Sequence, residues 1–402
     1  MKKKGIIISI IGIFLISALT IILISKNNKK YIMYDGIMLA MTLTDTNGNT
    51  NDITEFPSGT NYTANISCEN ARGLWLPKED GTGYEFILEE ITGKVKCNIA
   101  FKVAADGDKL ISVIQAEKAR TDANDGICSK SEYTTKSTCE SNSGIWWGVY
   151  DENGLRYEGL QPNNHVWFNN EIWRIIGYVP TKDANGNAAQ LVKIIRNKSI
   201  GGLTINSSGS TYVGSRMYNL LNTYYYGAKD GTKSGYCYGY SLSGTTCNYE
   251  SIGLNTISQN MIEPVQWAIG IQSSISNVGT HYATEVGTYT NTSGGINIGL
   301  MNISDYGYSV IDDDCARSTS LSSYDSTSCA GKAWLYGQGY EWTMSPYSSN
   351  DVWYVDINGN AHNYSSDGAR GALSARPVLY LDAGVYKISG SGTMADPYII
   401  GM

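Results

Sequence analysis

Histidine is nearly missing from this 402-residue chain. The three present, His165, His281 and His362, sit at no metal-ligand spacing. None stands beside a Gly-x-Ser-x-Gly elbow, a His-Glu-x-x-His helix or a papain-like cysteine context. The usual general bases are therefore lacking, and no enzyme is expected. Charge is also scarce, at 17% of residues with a net of −7, and no basic cluster occurs outside the N-terminus. A nucleic-acid partner, which needs a basic face, is excluded. Proline (8) and phenylalanine (5) are few, and no Cys-x-x-Cys exists to favour zinc, the rival to disulfides. A Leu-Pro-x-Thr-Gly sorting signal is missing too, which leaves surface attachment to the other end of the chain.

What is abundant is glycine (44) and tyrosine (30), with many Asn, Ser and Thr. That composition suits short strands, tight turns and polar aromatic surfaces. After Lys2, Lys3 and Lys4, Gly5 to Ile24 are twenty residues without a charge, the length of a bilayer-spanning helix. The segment runs straight into Lys26, Lys29 and Lys30 without a small-x-small cleavage site, so an uncleaved anchor in the lipid bilayer is expected. Lysines flank both ends. The cysteines and the polar β-rich body are what place the remainder outside the cell.

The eight cysteines all follow that segment. An even count on an exported body suggests disulfides, and nearest-neighbour pairing joins Cys68 to Cys97, Cys128 to Cys139, Cys237 to Cys247 and Cys315 to Cys329. Spacing alone does not fix that connectivity. Three Asp-x-Asn-Gly-Asn segments (45–49, 183–187, 356–360) invite comparison with calcium loops. Their glycine is fourth where an EF-hand loop needs it sixth, and each lies between strand-like runs, so hairpin corners are expected.

The expected fold class is α+β: a transmembrane segment within 1–30, a small all-β sandwich over 31–105, a helical linker and disulfide knuckle over 106–155, and a mixed domain over 156–402. Helices are expected at 109–120, 215–227 and 256–270, the last kinked or started by Pro264. In the knuckle, Cys128 and Cys139 bracket Tyr133 ahead of Trp146 and Trp147. It resembles small Cys-Tyr-Thr-Thr-Cys spacer modules of bacterial secreted proteins.

Trp173-Arg174-Ile175-Ile176-Gly177, Ser304-Asp305-Tyr306-Gly307-Tyr308, Glu341-Trp342-Thr343-Met344-Ser345-Pro346 and Arg376-Pro377-Val378-Leu379-Tyr380-Leu381 together resemble an uncharacterised domain family of surface proteins in low-GC Gram-positive bacteria. The resemblance covers roughly 156–400. The order of the last third is similar, more distantly, to C-type lectin-like folds, including the formylglycine-generating enzyme fold. It implies two small sheets, flanking helices and a long loop region used for recognition. Fold alone does not carry function.

The calcium-dependent sugar site of true C-type lectins is only partly matched. Gln161-Pro162-Asn163 precedes the first strand pair, whereas Asn350-Asp351 stands before a strand as required. No cofactor is expected, with calcium as the alternative, and Asp312, Asp313 and Asp314 beside Cys315 are the candidate metal residues, with a solvated loop as the other reading. Trp173, Trp342 and Trp353 are expected in the core. Tyr236, Tyr238, Tyr240, Trp334, Tyr336, Glu341, Tyr347, Asn350 and Asp351 are the candidate ligand-binding set, because amphipathic rings present contact area at low entropic cost. The alternative is that tyrosine merely keeps an exported surface soluble. The expected role is adhesion or binding of a surface glycan or protein. A cell-envelope hydrolase, with Glu341 beside Trp342 as its carboxylate, and a purely structural surface component are the other readings.

Overall fold

The computed structural model describes residues 6–8, 24–26, 29–58, 62–78, 83–239, 247–325, 329–337, 339–365 and 373–402. Strand accounts for 37% and helix for 17%, so sheets set the architecture of this α+β chain. Two compact units form: residues 1–112 with 384–391 and 398–402, and residues 113–383 with 392–397. The boundary falls inside the helix Leu110–Asn124, the one expected at 109–120. The closing hairpin, Tyr386–Ser389 with Tyr398–Gly401, belongs to the first unit although it follows the second in sequence.

The first unit has two sheets. Ile37–Thr44 is its central strand, flanked by Lys29–Tyr34 and Thr50–Ile53 on one side and, in parallel, by Lys96–Val103 on the other. Arg72–Pro77 and Tyr84–Glu89 form the second sheet. Between them Phe56 stacks on Trp75 at 5.3 Å and meets Phe101 of the opposite sheet edge-on at 6.1 Å, giving a sandwich core. Cys68 and Cys97 are directly opposed on neighbouring strands, with Cα atoms 4.1 Å apart. The bridge thus lies within one sheet and does not join the two layers, because an antiparallel pair brings facing residues that close.

The membrane helix expected over 5–24 falls largely outside the described residues. Its described ends, Ile6–Ile8 and Ile24–Lys26, are strands, the first paired with residues 86–88. β-branched isoleucine favours the extended backbone where a sheet edge offers hydrogen bonds. Among the described residues no helix is long and apolar enough to cross a membrane.

The second unit is built on the 13-residue strand Glu171–Asp183, which pairs with four others. Its run Trp173-Arg174-Ile175-Ile176-Gly177 is buried throughout, the pattern of a strand covered on both faces. Ala188–Arg196 and then Val378–Leu381 extend the sheet one way, Leu155–Gly159 and Trp146–Asp151 the other. The knuckle is part of this layer: Trp146 packs with the Cys128–Cys139 bridge and Ile311. All four nearest-neighbour disulfides form.

Two helix expectations change. Within 215–227 the helix runs from Arg216 to Tyr225, and Arg216–Asn219 widens into a π turn at Leu220–Tyr225. The helix expected to 270 stops at Asn260, and Val265–Gln266 is a strand. Pro264 supplies no N–H and pushes the preceding residue into extended conformation, and Glu263 accordingly donates its N–H across to Tyr380 O at 2.9 Å.

The three Asp-x-Asn-Gly-Asn segments are hairpin corners of one design. Asp45, Asp183 and Asp356 each accept at Oδ1 the backbone N–H groups two and four residues on, at 2.8–2.9 Å. Only the glycines, Gly48, Gly186 and Gly359, enter the positive-φ region, at 84°, 86° and 89°. The turns are therefore three-residue loops closed by a left-handed glycine. The aspartate carboxylates are spent on the backbone.

Candidate ligand-binding face

A second, smaller sheet of this unit carries the aromatic residues that reach its surface. Its strands run Gly202–Leu203, Leu373–Ser374, Glu341–Pro346, Asp351–Val355, Ala361–Ser365. Trp342 lies opposite Tyr354, and Tyr354 opposite His362. Because facing residues of a ladder share a side of the sheet, these three stand on one face, with Tyr364 two residues beyond His362. The Tyr354 ring is 5.9 Å from both Tyr364 and His362 and 6.2 Å from Tyr340. Trp342 is the floor of this cluster: fully buried, 6.2 Å from Tyr364, its indole N–H donated to Leu203 O at 2.7 Å. Tyr340 remains 47% exposed and His362 lies open beside Asp356, at 3.2 Å. Burial, then the Asp356 charge, raises the Tyr354 hydroxyl above its ordinary pKa, so it stays a neutral donor.

The sequence-chosen residues divide. Tyr236 and Tyr238 are each over a third exposed. Tyr238 lies under the Arg216 guanidinium at 4.1 Å, and its carbonyl accepts the N–H of Thr204, the residue after the edge strand of this sheet. Tyr240 lies outside the described residues. Tyr336 bonds through its hydroxyl to Ile357 O. Asn350 and Asp351 shape the strand turn: Ser348 Oγ donates to Asp351 Oδ2 at 3.1 Å and accepts both backbone N–H groups. Tyr347 packs edge-on against Trp353 at 5.1 Å.

Glu341 and Trp334 are interior. Arg376 donates to both Glu341 oxygens, at 2.6 and 2.8 Å, and to Leu335 O, with all parties buried. Glu341 is thus half of a bidentate ion pair and is not free to serve as a glycosidase carboxylate. Trp334 gives its N–H to Tyr157 O and stacks under Arg174 at 4.3 Å. Among the described residues Arg174 has no acidic partner, and burial, then the neighbouring Arg376, pushes it down to about 9.

Two of the three aspartates are engaged in structural contacts, and Asp313 is exposed. Asp314 takes Lys136 at 2.9 Å and Lys332 at 2.5 Å; burial works to raise its pKa, and these hydrogen bonds and charges outweigh it. Asp312 accepts the Arg317 N–H. Among the described residues no group of three or more His, Cys, Asp or Glu side chains is arranged to hold a metal ion. His165 and His281 are buried, and burial holds each down to about 4, so both are neutral and inaccessible near pH 7.

Tyr340, Tyr354, His362 and Tyr364 are not in the candidate set drawn from the sequence. The available signal was register: folding 351–365 about its Asp-Ile-Asn-Gly-Asn corner places Tyr354 opposite His362. Compared with family models, curated proteins and solved structures, the chain finds no match.

Proposed function

We propose that the protein is a membrane-anchored cell-surface binding protein whose second unit recognises a glycan or protein ligand through the Tyr340–Tyr354–Tyr364 face. What carries this reading is that face itself: three tyrosine rings and an open imidazole are ranged over a buried tryptophan on a small sheet stiffened by neighbouring strands. Rigid aromatics with polar tips suit sugar faces and protein hot spots alike. The order of elements in the second unit supports a C-type lectin-like fold as the finer description. The apolar run 5–24 with its flanking lysines supports the anchor, and four disulfides support an oxidising exterior. Screening the detergent-solubilised full chain on a glycan array, with and without chelator, tests the reading. Retention that ignores chelator and is weakened in Tyr340→Ala and Tyr354→Ala supports it. Retention unchanged in both variants refutes this face.

A further inference from the structure

In the core of the second unit, Lys193 extends from the strand Ala188–Arg196 into a site with no access to water, its side chain 2% exposed. Its Nζ lies 3.0 Å from Asn302 Oδ1 and 2.5 Å from Asp305 Oδ2, between the rings of Trp267 and Tyr380 at 5.4 and 5.5 Å. Asp305 Oδ1 is already matched by Arg156 Nη1 at 2.9 Å, and that pair is equally buried. The cluster therefore holds two cations against one carboxylate, and an unmatched buried charge is costly. The Glu285 carboxyl nearby is engaged by the Ser304 and Ser345 hydroxyls, and burial keeps it toward its neutral form.

We propose that Lys193 and Asn302 become joined by an intramolecular amide bond, with Asp305 carrying the protons. The Asp305 carboxylate takes one proton from the Lys193 ammonium across their contact. The freed amine attacks Asn302 Cγ, whose oxygen already faces it. Asn302 Nδ2 is held on the far side by Ala268 O at 2.9 Å, so the leaving nitrogen points away from the nucleophile. One Nζ–Cγ bond forms and the Cγ–Nδ2 bond breaks; the two protons lost by Nζ pass through Asp305 to the leaving nitrogen, which departs as ammonium, and the carboxylate is regenerated. No oxidant or external reagent enters. Acylation removes the surplus charge and leaves Arg156 and Asp305 as a matched pair. Holding the reactants in contact replaces the encounter that makes such amide exchange slow in water.

Intact mass spectrometry of the reduced full-length protein reads the outcome directly. The expected mass is lighter than the sequence by one ammonia, and trypsin leaves a branched peptide linking Lys193 to Asn302 without cutting after Lys193. Lys193→Met and Asn302→Ala are expected to show the full sequence mass of each variant. A wild-type chain at full sequence mass overturns the proposal. So does an ammonia loss that maps to Asn47, Asn185 or Asn358, where an Asn-Gly step can cyclise.

Discussion

Replacing Glu341 by Gln separates the structural role of this carboxylate from a catalytic one. The substitution keeps the side-chain shape but removes the charge and puts an amide N–H where Arg376 needs an acceptor. Arg376 would then be buried without its anion, alongside Arg174, which has none among the described residues. Breaking a buried pair by removing one partner costs about 3–5 kcal/mol. For a domain of this size each kcal/mol lowers Tm by about 2–4 °C, so a drop of roughly 6–20 °C is expected. Thermal unfolding by circular dichroism measures it, with urea titration as the equilibrium check. The double variant Glu341→Met with Arg376→Met should recover much of the loss, because it removes both charges together and relieves Arg174 of a like neighbour. A Glu341→Gln protein within about 1 kcal/mol of wild type would refute the argument and return Glu341 to the list of groups free for chemistry.

Three further outcomes are expected. Tyr340→Ala should weaken ligand retention by roughly 2–10-fold with unchanged Tm, since one aromatic contact contributes about 0.5–1.5 kcal/mol and this ring is exposed; surface plasmon resonance on any array hit checks it. Glu285 is held up at about 7 by burial against an ordinary value of 4.5, so its contribution to stability is fully present below about pH 4.5 and is lost as pH rises through 7. Urea denaturation from pH 4.5 to 7.5 should show a steeper decline in wild type than in Glu285→Gln, by up to about 3 kcal/mol, and parallel curves would contradict the assignment. Gly186→Ala and Gly359→Ala impose the same left-handed strain, about 1–3 kcal/mol, but only Gly359 is crowded. A Cβ there would lie 2.2 Å from Ala330 Cβ and 2.7 Å from Tyr324 O, whereas Gly186 has nothing within 4 Å. Gly359→Ala should thus cost a further 1–3 kcal/mol or so by urea titration, and equal losses would exclude the packing term.

Local chemistry was legible in the sequence. The left-handed glycine and the backbone-bonding aspartate made corners of all three Asp-x-Asn-Gly-Asn segments, since every needed contact lies within five residues. Nearest-neighbour pairing of the cysteines was suggested by the sequence but not fixed by it, and the structure forms all four of those bridges. Trp173, Trp342 and Trp353 read correctly as core. What tertiary structure decided is which polar groups are spent on one another. Glu341 looks like a free carboxylate until Arg376, thirty-five residues later, claims both of its oxygens. Trp334 looks like a sugar platform until Tyr157 and Arg174 cover it. Lys193 and Asn302 lie in no motif, and nothing in the Ser304–Tyr308 run marks Asp305 as their partner; the fold brings the strand of Lys193 to the helix Ile303–Gly307. Turn propensity is set by neighbouring dihedrals, which a sequence displays directly. Burial and charge pairing depend on partners far along the chain, so only the assembled sheets determine which tyrosines and carboxylates remain for a ligand.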